Sequence, residues 1–241
     1  MQPDASNLLE KMGLEIPLIG FYDAPDTRPF EPLVEPKPGT RACVFAFYRQ
    51  WLRGKTLHLT KENFGCGGAG HWLCGVETRS REALVSFLVD DEGLKASHAL
   101  MNQWLDYRQG YKQEHPHLLI GPLRADQYEY LRSVTFLVNP DQLGLLMIGA
   151  QYYSVPGDPA PVIAPFGSGC SQLVAPFNDL NATQAIIGAT DIAMRQYLDP
   201  DLLTFTVTRP MYEQLCGLGE ESFLYKPFWK TLQKSRGVKD S

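Results

Sequence analysis

The sequence predicts an α+β fold, a single domain with a central mixed sheet flanked by helices, on three observations. Helical and strand-like segments mix along the chain without strict strand–helix–strand alternation, which disfavours a doubly wound architecture. The second half is rich in short β-branched and aromatic runs of strand length. No break in composition marks a boundary, so residues 1–241 read as one domain with 44% hydrophobic residues to build its core.

Residues 6–12 have the amphipathic spacing of a short helix that Gly13 ends. A strand is predicted over 16–22, with Pro17 near its start, where a missing donor is tolerated. The stretch 23–39 holds Pro25, Pro29, Pro32, Pro36 and Pro38, so it reads as a surface loop and candidate lid. Thr40 stands at an N-cap position before a helix over 41–53, in which Cys43, Phe47 and Trp51 recur every four residues on one face. Gly54 closes it. Residues 56–60 form a short alternating strand in which Leu57 and Leu59 flank His58. Helices follow over 80–89 and 97–112, the second with Leu100, Trp104 and Tyr107 on one stripe.

Strands are then predicted over 118–123, 134–138, 185–187 and 203–207. Two of them end alike, in Val138-Asn139-Pro140 and Thr208-Arg209-Pro210, with proline in the first turn of the helix that follows. Such joints arise easily by chance, so no internal duplication is inferred from them. Residues 233–241 read as a flexible, mildly basic tail.

Composition excludes several classes of function. A net charge of -5 argues against a nucleic-acid partner, which would call for a basic face. The N-terminus has no basic region leading into a hydrophobic one, so no secretory signal is read there. The longest apolar run, 143–150, falls far short of the ~20 residues of a membrane helix. Five cysteines, an odd number spread along the chain, point to reduced thiols in a cytoplasmic setting rather than to a disulfide framework. A homodimer is the default expectation for assembly.

The densest special composition is the glycine-rich run 64–75. Its Gly67 and Gly68, beside Cys66, would let backbone N–H groups approach an anion closely. The lysine and hydroxyl of a phosphate loop are missing, as is the spacing of a dinucleotide fingerprint. Cys66, His71 and Cys74 offer soft metal ligands, though paired C-x2-C knuckles are absent and a fourth ligand would have to come from elsewhere. Burial as small core residues explains the same pattern.

A second candidate is the turn Gly167-Ser168-Gly169-Cys170-Ser171. If Cys170 lies in the first turn of a helix, unpaired N–H groups and the helix dipole favour its thiolate. The alternative is a tight strand-to-helix turn. Asp191 and Arg195 lie four residues apart, as either a surface ion pair or an arginine anchor for a carboxylate or phosphate. His115 and His117 flank Pro116 in a polar loop and give weak evidence for a metal. No G-x-S-x-G elbow and no H-E-x-x-H are present.

These features resemble the domain-of-unknown-function 169 family of bacteria and archaea. The resemblance is carried by Cys43 with Gly54-Lys55-Thr56-Leu57, Cys66-Gly67-Gly68, Asn139-Pro140, Gly169-Cys170, and Ile187-Gly188 ahead of Asp191 and Arg195, over roughly 14–229. The family pattern often has proline inside the Cys-x-Gly-Gly element, where Gly67 stands here. No reaction comes with that resemblance.

Three functions are therefore expected. The first is a small-molecule or anion-binding protein. Its pocket would use Gly67, Gly68, Ser168, Gly169, Ser171, Asp191 and Arg195, with Cys170 and Cys66 as thiol groups. The second is a metal or iron–sulfur protein using Cys43, Cys66, Cys74 and Cys170. The third is a non-catalytic interaction module. Whether the chain is an enzyme, and with what cofactor, is left open.

Overall fold

Strand β1 (Ile19–Ala24) is buried at every position, which an alternating strand with one wet face would not be. The reason is that both faces of the sheet are covered. The computed structural model describes residues 3–38, 43–60, 62, 63, 68, 70, 73, 75, 80–107, 110–165, 167, 169–174, 177 and 179–237.

Eight strands form one mixed sheet: β1, β2 (Leu33–Val34), β3 (Thr56–Leu59), β4 (His117–Pro122), β5 (Leu131–Val138), β6 (Val162–Ile163), β7 (Ala185–Gly188) and β8 (Leu203–Thr208). Their spatial order is β2-β3-β4-β1-β5-β8-β7-β6. One face is covered by helices α1 (Ser6–Met12), α5 (Pro140–Gln151), α7 (Arg209–Cys216) and α8 (Pro227–Ser235). Leu8, Leu146, Met211 and Trp229 from these helices meet Tyr22, Phe136 and Phe205 from the sheet. The opposite face packs Ile19, Phe21, Leu57 and Ile120 against a 3-10 turn at Val44–Phe47, helix α2 (Tyr48–Trp51) and Met194 of α6 (Ile192–Arg195). Helices α3 (Arg81–Ser86) and α4 (His98–Tyr107), with the helical turn Phe87–Asp91 that follows α3, bury Leu84, Leu88, Met101 and Leu105 in a small cluster of their own.

The two halves of the sheet have one topology, related by a pseudo-twofold axis normal to it. β1 and β5 pair antiparallel at the centre, each the first strand of its half. The second strand of each half, β2 or β6, is a two-residue edge. It runs parallel to the third, with Leu33 opposite Thr56 and Val162 opposite Ala185, an identical separation along the chain. The fourth strand inserts antiparallel between third and first. Register superposes β4 on β8 and β3 on β7 end to end. The halves differ in their connections. Residues 60–116 separate third from fourth strand in the first half and only 189–202 in the second, whereas α5 belongs to the second half alone. The sequence hides this duplication. The two strand–proline–helix joints that look alike belong to β5 and β8, which are neighbours within one half and not symmetry mates.

Those joints nevertheless form as their residues dictate. Asn139 accepts from the Gln142 N–H at 2.9 Å while the Gln142 side chain accepts from the Asn139 N–H at 3.1 Å, a capping box with Pro140 in the first turn. Thr208 caps α7 by accepting from the Met211 N–H. Elsewhere the helix expected over 41–53 is a 3-10 turn that passes into α2, with Cys43 at its N-cap; Thr40 lies outside the described residues. In α4 the buried stripe is Met101 and Leu105, leaving Leu100 and Tyr107 exposed, because this helix packs on α3 and not on the sheet. The expected tail is helical as far as Ser235. Among the described residues no helix is long and apolar enough to cross a membrane.

Gly121 on β4 faces Thr56 so closely that an added Cβ would lie 2.9 Å from the Thr56 Cα. Gly121→Ala should therefore destabilise the protein by about 1–3 kcal/mol. Gly144→Ala, on an open face of α5, should be neutral or stabilise it by up to about 1 kcal/mol. Urea unfolding of the pair checks the contrast.

Candidate functional site

The insertion that distinguishes the first half returns to the sheet at β4, and there the chain builds a cleft lined by several polar side chains. Its anchor is Asp23, near the end of β1 and fully buried. The carboxylate accepts from the Tyr111 hydroxyl at 2.7 Å and from the backbone N–H groups of Glu114 and His115 at 2.7 and 2.8 Å. Three donors satisfy a buried charge that would otherwise be costly. The Tyr111 hydroxyl also accepts from Arg132 Nε at 3.0 Å, and Arg132 Nη2 donates to Glu114 at 2.6 Å. Burial raises the Tyr111 phenol above its ordinary value, with the Asp23 carboxylate adding to the effect. Segment 111–115 is thereby fixed to β1 and β5.

The segment leads directly into His117, the first residue of β4. His117 shares a face of β4 with Leu119, and Leu119 pairs with His58 on β3, so the two imidazoles are diagonal neighbours. His58 Nε2 lies 3.1 Å from His117 Nδ1, and the rings meet edge to face at 5.0 Å. His58 Nδ1 lies 2.6 Å from Oε1 of Glu35, the residue after β2. The result is a chain Glu35–His58–His117 that crosses three adjacent strands. His58 is only 6% exposed, whereas the Glu35 side chain is 58% exposed. Asn63 holds the end of β3 by donating to the His58 carbonyl at 3.2 Å and accepting from the Thr60 N–H at 2.8 Å. Burial, helped by the neighbouring His58 ring, holds the His117 imidazole below its ordinary pKa.

His117 opens onto a cleft of about 740 Å³ lined by Thr60, Glu62, Gly75, Lys112, His115 and their neighbours. At the positions that the pseudo-twofold makes equivalent, Glu35, His58 and His117 are replaced by Ala164, Ile187 and Leu203. One half of the sheet carries an ionisable chain where the other carries hydrocarbon.

Of the residues singled out in the second half, Gly169, Cys170 and Ser171 lie in a 3-10 turn (Gly169–Leu173), and Asp191 and Arg195 lie at the two ends of α6. Gly169 donates to Asp191 Oδ2 at 2.9 Å, and the other Asp191 oxygen caps α6 through the Ala193 N–H. Arg195 donates to the carbonyls of Pro200 and Leu202. Cys170 and Ser171 are each 2% exposed, and the Cys170 thiol packs with Leu173, Val174 and Met194. Gln172 bridges the Ala189 N–H and the Thr190 hydroxyl, and Ala189 itself has a positive φ of 61°. The structure thus joins Gly169 to Asp191 and directs Arg195 to backbone carbonyls. Gly68 is partly buried; Cys66, Gly67, His71, Cys74 and Ser168 lie outside the described residues. Cys43 is partly buried against the apolar cluster that holds Cys170. Burial pushes the Cys216 thiol up to about 12. Among the described residues no group of three or more His, Cys, Asp or Glu side chains is arranged to hold a metal ion.

A family model for the domain of unknown function 169, described as uncharacterised ArCR, matches residues 8–217. The chain belongs to this family. No curated protein and no solved structure matches it. The family hit covers both halves of the sheet and every residue of the Glu35–His58–His117 chain, and it carries no assigned reaction.

Asp23→Ala leaves two half-buried N–H groups and the Tyr111 hydroxyl without their acceptor, and should lower stability by about 3 kcal/mol in chemical denaturation. The lowered His117 pKa means that the unfolded chain binds a proton more readily there. His117 thus favours folding above the ordinary imidazole value of 6.5, and that contribution is lost as pH falls through the lower folded-state value. His117→Gln should shallow the fall in Tm on acidification from pH 6.5. An unchanged slope would show that His117 carries no such linkage.

Proposed function

We propose that this protein binds a small polar molecule in the cleft bounded by β3, β4 and the segment 110–117. The observation that carries the reading is asymmetry between two halves of one topology. The first half alone has the long insertion and the ionisable chain, while the equivalent positions of the second half are apolar. Core requirements alone would give both halves similar residues at matched positions. Lys112 and His115 supply hydrogen-bond donors at the cleft and Glu62 an acceptor, which suits a ligand with both donors and acceptors. The odd set of five cysteines supports a reducing, cytoplasmic setting.

A thermal-shift screen of polar metabolites tests this. A cleft ligand at about 100 times its Kd should raise the Tm by roughly 5 °C or more. The same compound should have no effect on Pro116→Trp, which places a large ring at the cleft wall. Equal shifts in both proteins would put binding elsewhere, and no stabilising compound would remove the support for a ligand site.

A second reading is kept because Cys43 and Cys170 border the same apolar cluster. Together with Cys66 and Cys74 they would form a thiolate set for a metal or iron–sulfur cluster. Metal analysis and the visible spectrum of anaerobically purified protein decide it: colourless, metal-free protein ends this reading.

A further inference from the structure

We propose that Glu35, His58 and His117 form a proton relay that makes His117 a general base toward the molecule bound in the cleft. This rests on the binding reading above and adds a chemical activity to it.

A carboxylate only accepts, so Glu35 at 2.6 Å places the His58 proton on Nδ1. A neutral imidazole with its proton on Nδ1 has its lone pair on Nε2. That lone pair faces His117 Nδ1 at 3.1 Å and accepts its hydrogen. His117 in turn keeps its lone pair on Nε2, which has no partner among the described residues while the ring lines the cleft. One surface carboxylate thus fixes the tautomers of two rings and leaves an unprotonated nitrogen at the wall of a polar cavity. The arrangement follows the logic of a base oriented by a third group, extended by one imidazole.

The transfer balances along the same path. An acidic O–H, N–H or activated C–H of the bound molecule gives its proton to His117 Nε2, and the bonding electron pair stays with the molecule. His117 becomes an imidazolium and passes its Nδ1 proton to His58 Nε2. His58 then releases its Nδ1 proton to Glu35. A proton taken from the cleft is delivered through a side chain that is 8% exposed to one that is 58% exposed and open to water. His117 touches the substrate; His58 and Glu35 are positioning residues. The reaction class is proton abstraction, and the substrate is a molecule whose anion is stabilised, such as a carbonyl compound with an acidic α-hydrogen. The lowered pKa of His117 agrees with a neutral ring at working pH. Asp26 opposes that lowering from the proline-rich loop, while burial and the His58 ring favour it.

Nitrogen-15 NMR of the five histidines reads the tautomers directly. In the wild type both His58 and His117 should carry the proton on Nδ1. In Glu35→Ala, at an exposed position that should not disturb folding, His58 loses that preference and His117 shifts toward Nε2–H. Acylation by diethyl pyrocarbonate needs an imidazole lone pair and serves as the second probe, followed by peptide mass spectrometry. His117 should react about tenfold more slowly in Glu35→Ala, the factor that one unit of basicity represents, with exposed His98 as the unchanged internal standard. A wild-type His117 protonated on Nε2, or tautomers and acylation unaffected by Glu35→Ala, would overturn the relay. A cleft ligand that stabilises wild type and Glu35→Ala equally would then still uphold the binding reading. Correct tautomers without any ligand would sink the binding reading and the base role of His117 with it, leaving only the hydrogen-bonded chain Glu35–His58–His117.

Discussion

The antiparallel pairing of β1 with β5 is the constraint on which the rest of the molecule depends. It joins two four-strand units into one sheet and puts the strand that is buried on both faces at the centre. Everything else attaches outward from that seam: β4 and β8 flank it, the parallel pairs β2–β3 and β6–β7 close the two sides, and helices cover both faces. A seam of this kind tolerates little variation in its own residues. An added Cβ at Gly20 would meet the Tyr22 ring at 2.5 Å.

Away from the seam the two units answer different demands. The buried carboxylate of Asp23 sits at the matched position of Leu137, and its three donors come from the insertion and not from the sheet. Charge at that depth is stable only when a specific segment arrives to satisfy it. The carboxylate and the loop that satisfies it therefore form one unit. That unit sets where His117 enters β4, and through β3 where His58 and Glu35 stand relative to it.

Much of the architecture was legible in the sequence because local signals carry it. Ser6–Met12, strands β5, β7 and β8, and the strand–proline–helix joints at Pro140 and Pro210 all follow from periodicity and from proline's place in a first helical turn. The two-residue edges β2 and β6 were not legible, since neither is long enough to show a period. The cleft was partly visible. His115 and His117 drew notice as a pair, but His58 looked like one polar residue in an alternating strand, and Glu35 was hidden among prolines. Their meeting depends on a parallel β2–β3 pairing that nothing local announces. Glycine and cysteine make Gly167–Ser171 conspicuous in the sequence, and in the fold Asp191 and Gln172 bond the backbone and hydroxyl groups around that turn.

The shortness of β2 and β6 also governs how copies of the chain meet. A sheet edge is a template for another strand in proportion to its length, and these present two residues each. Neither side offers enough backbone to extend the sheet into a second molecule. The central sheet can therefore be rich in β-branched residues without presenting a long edge that would seed fibres.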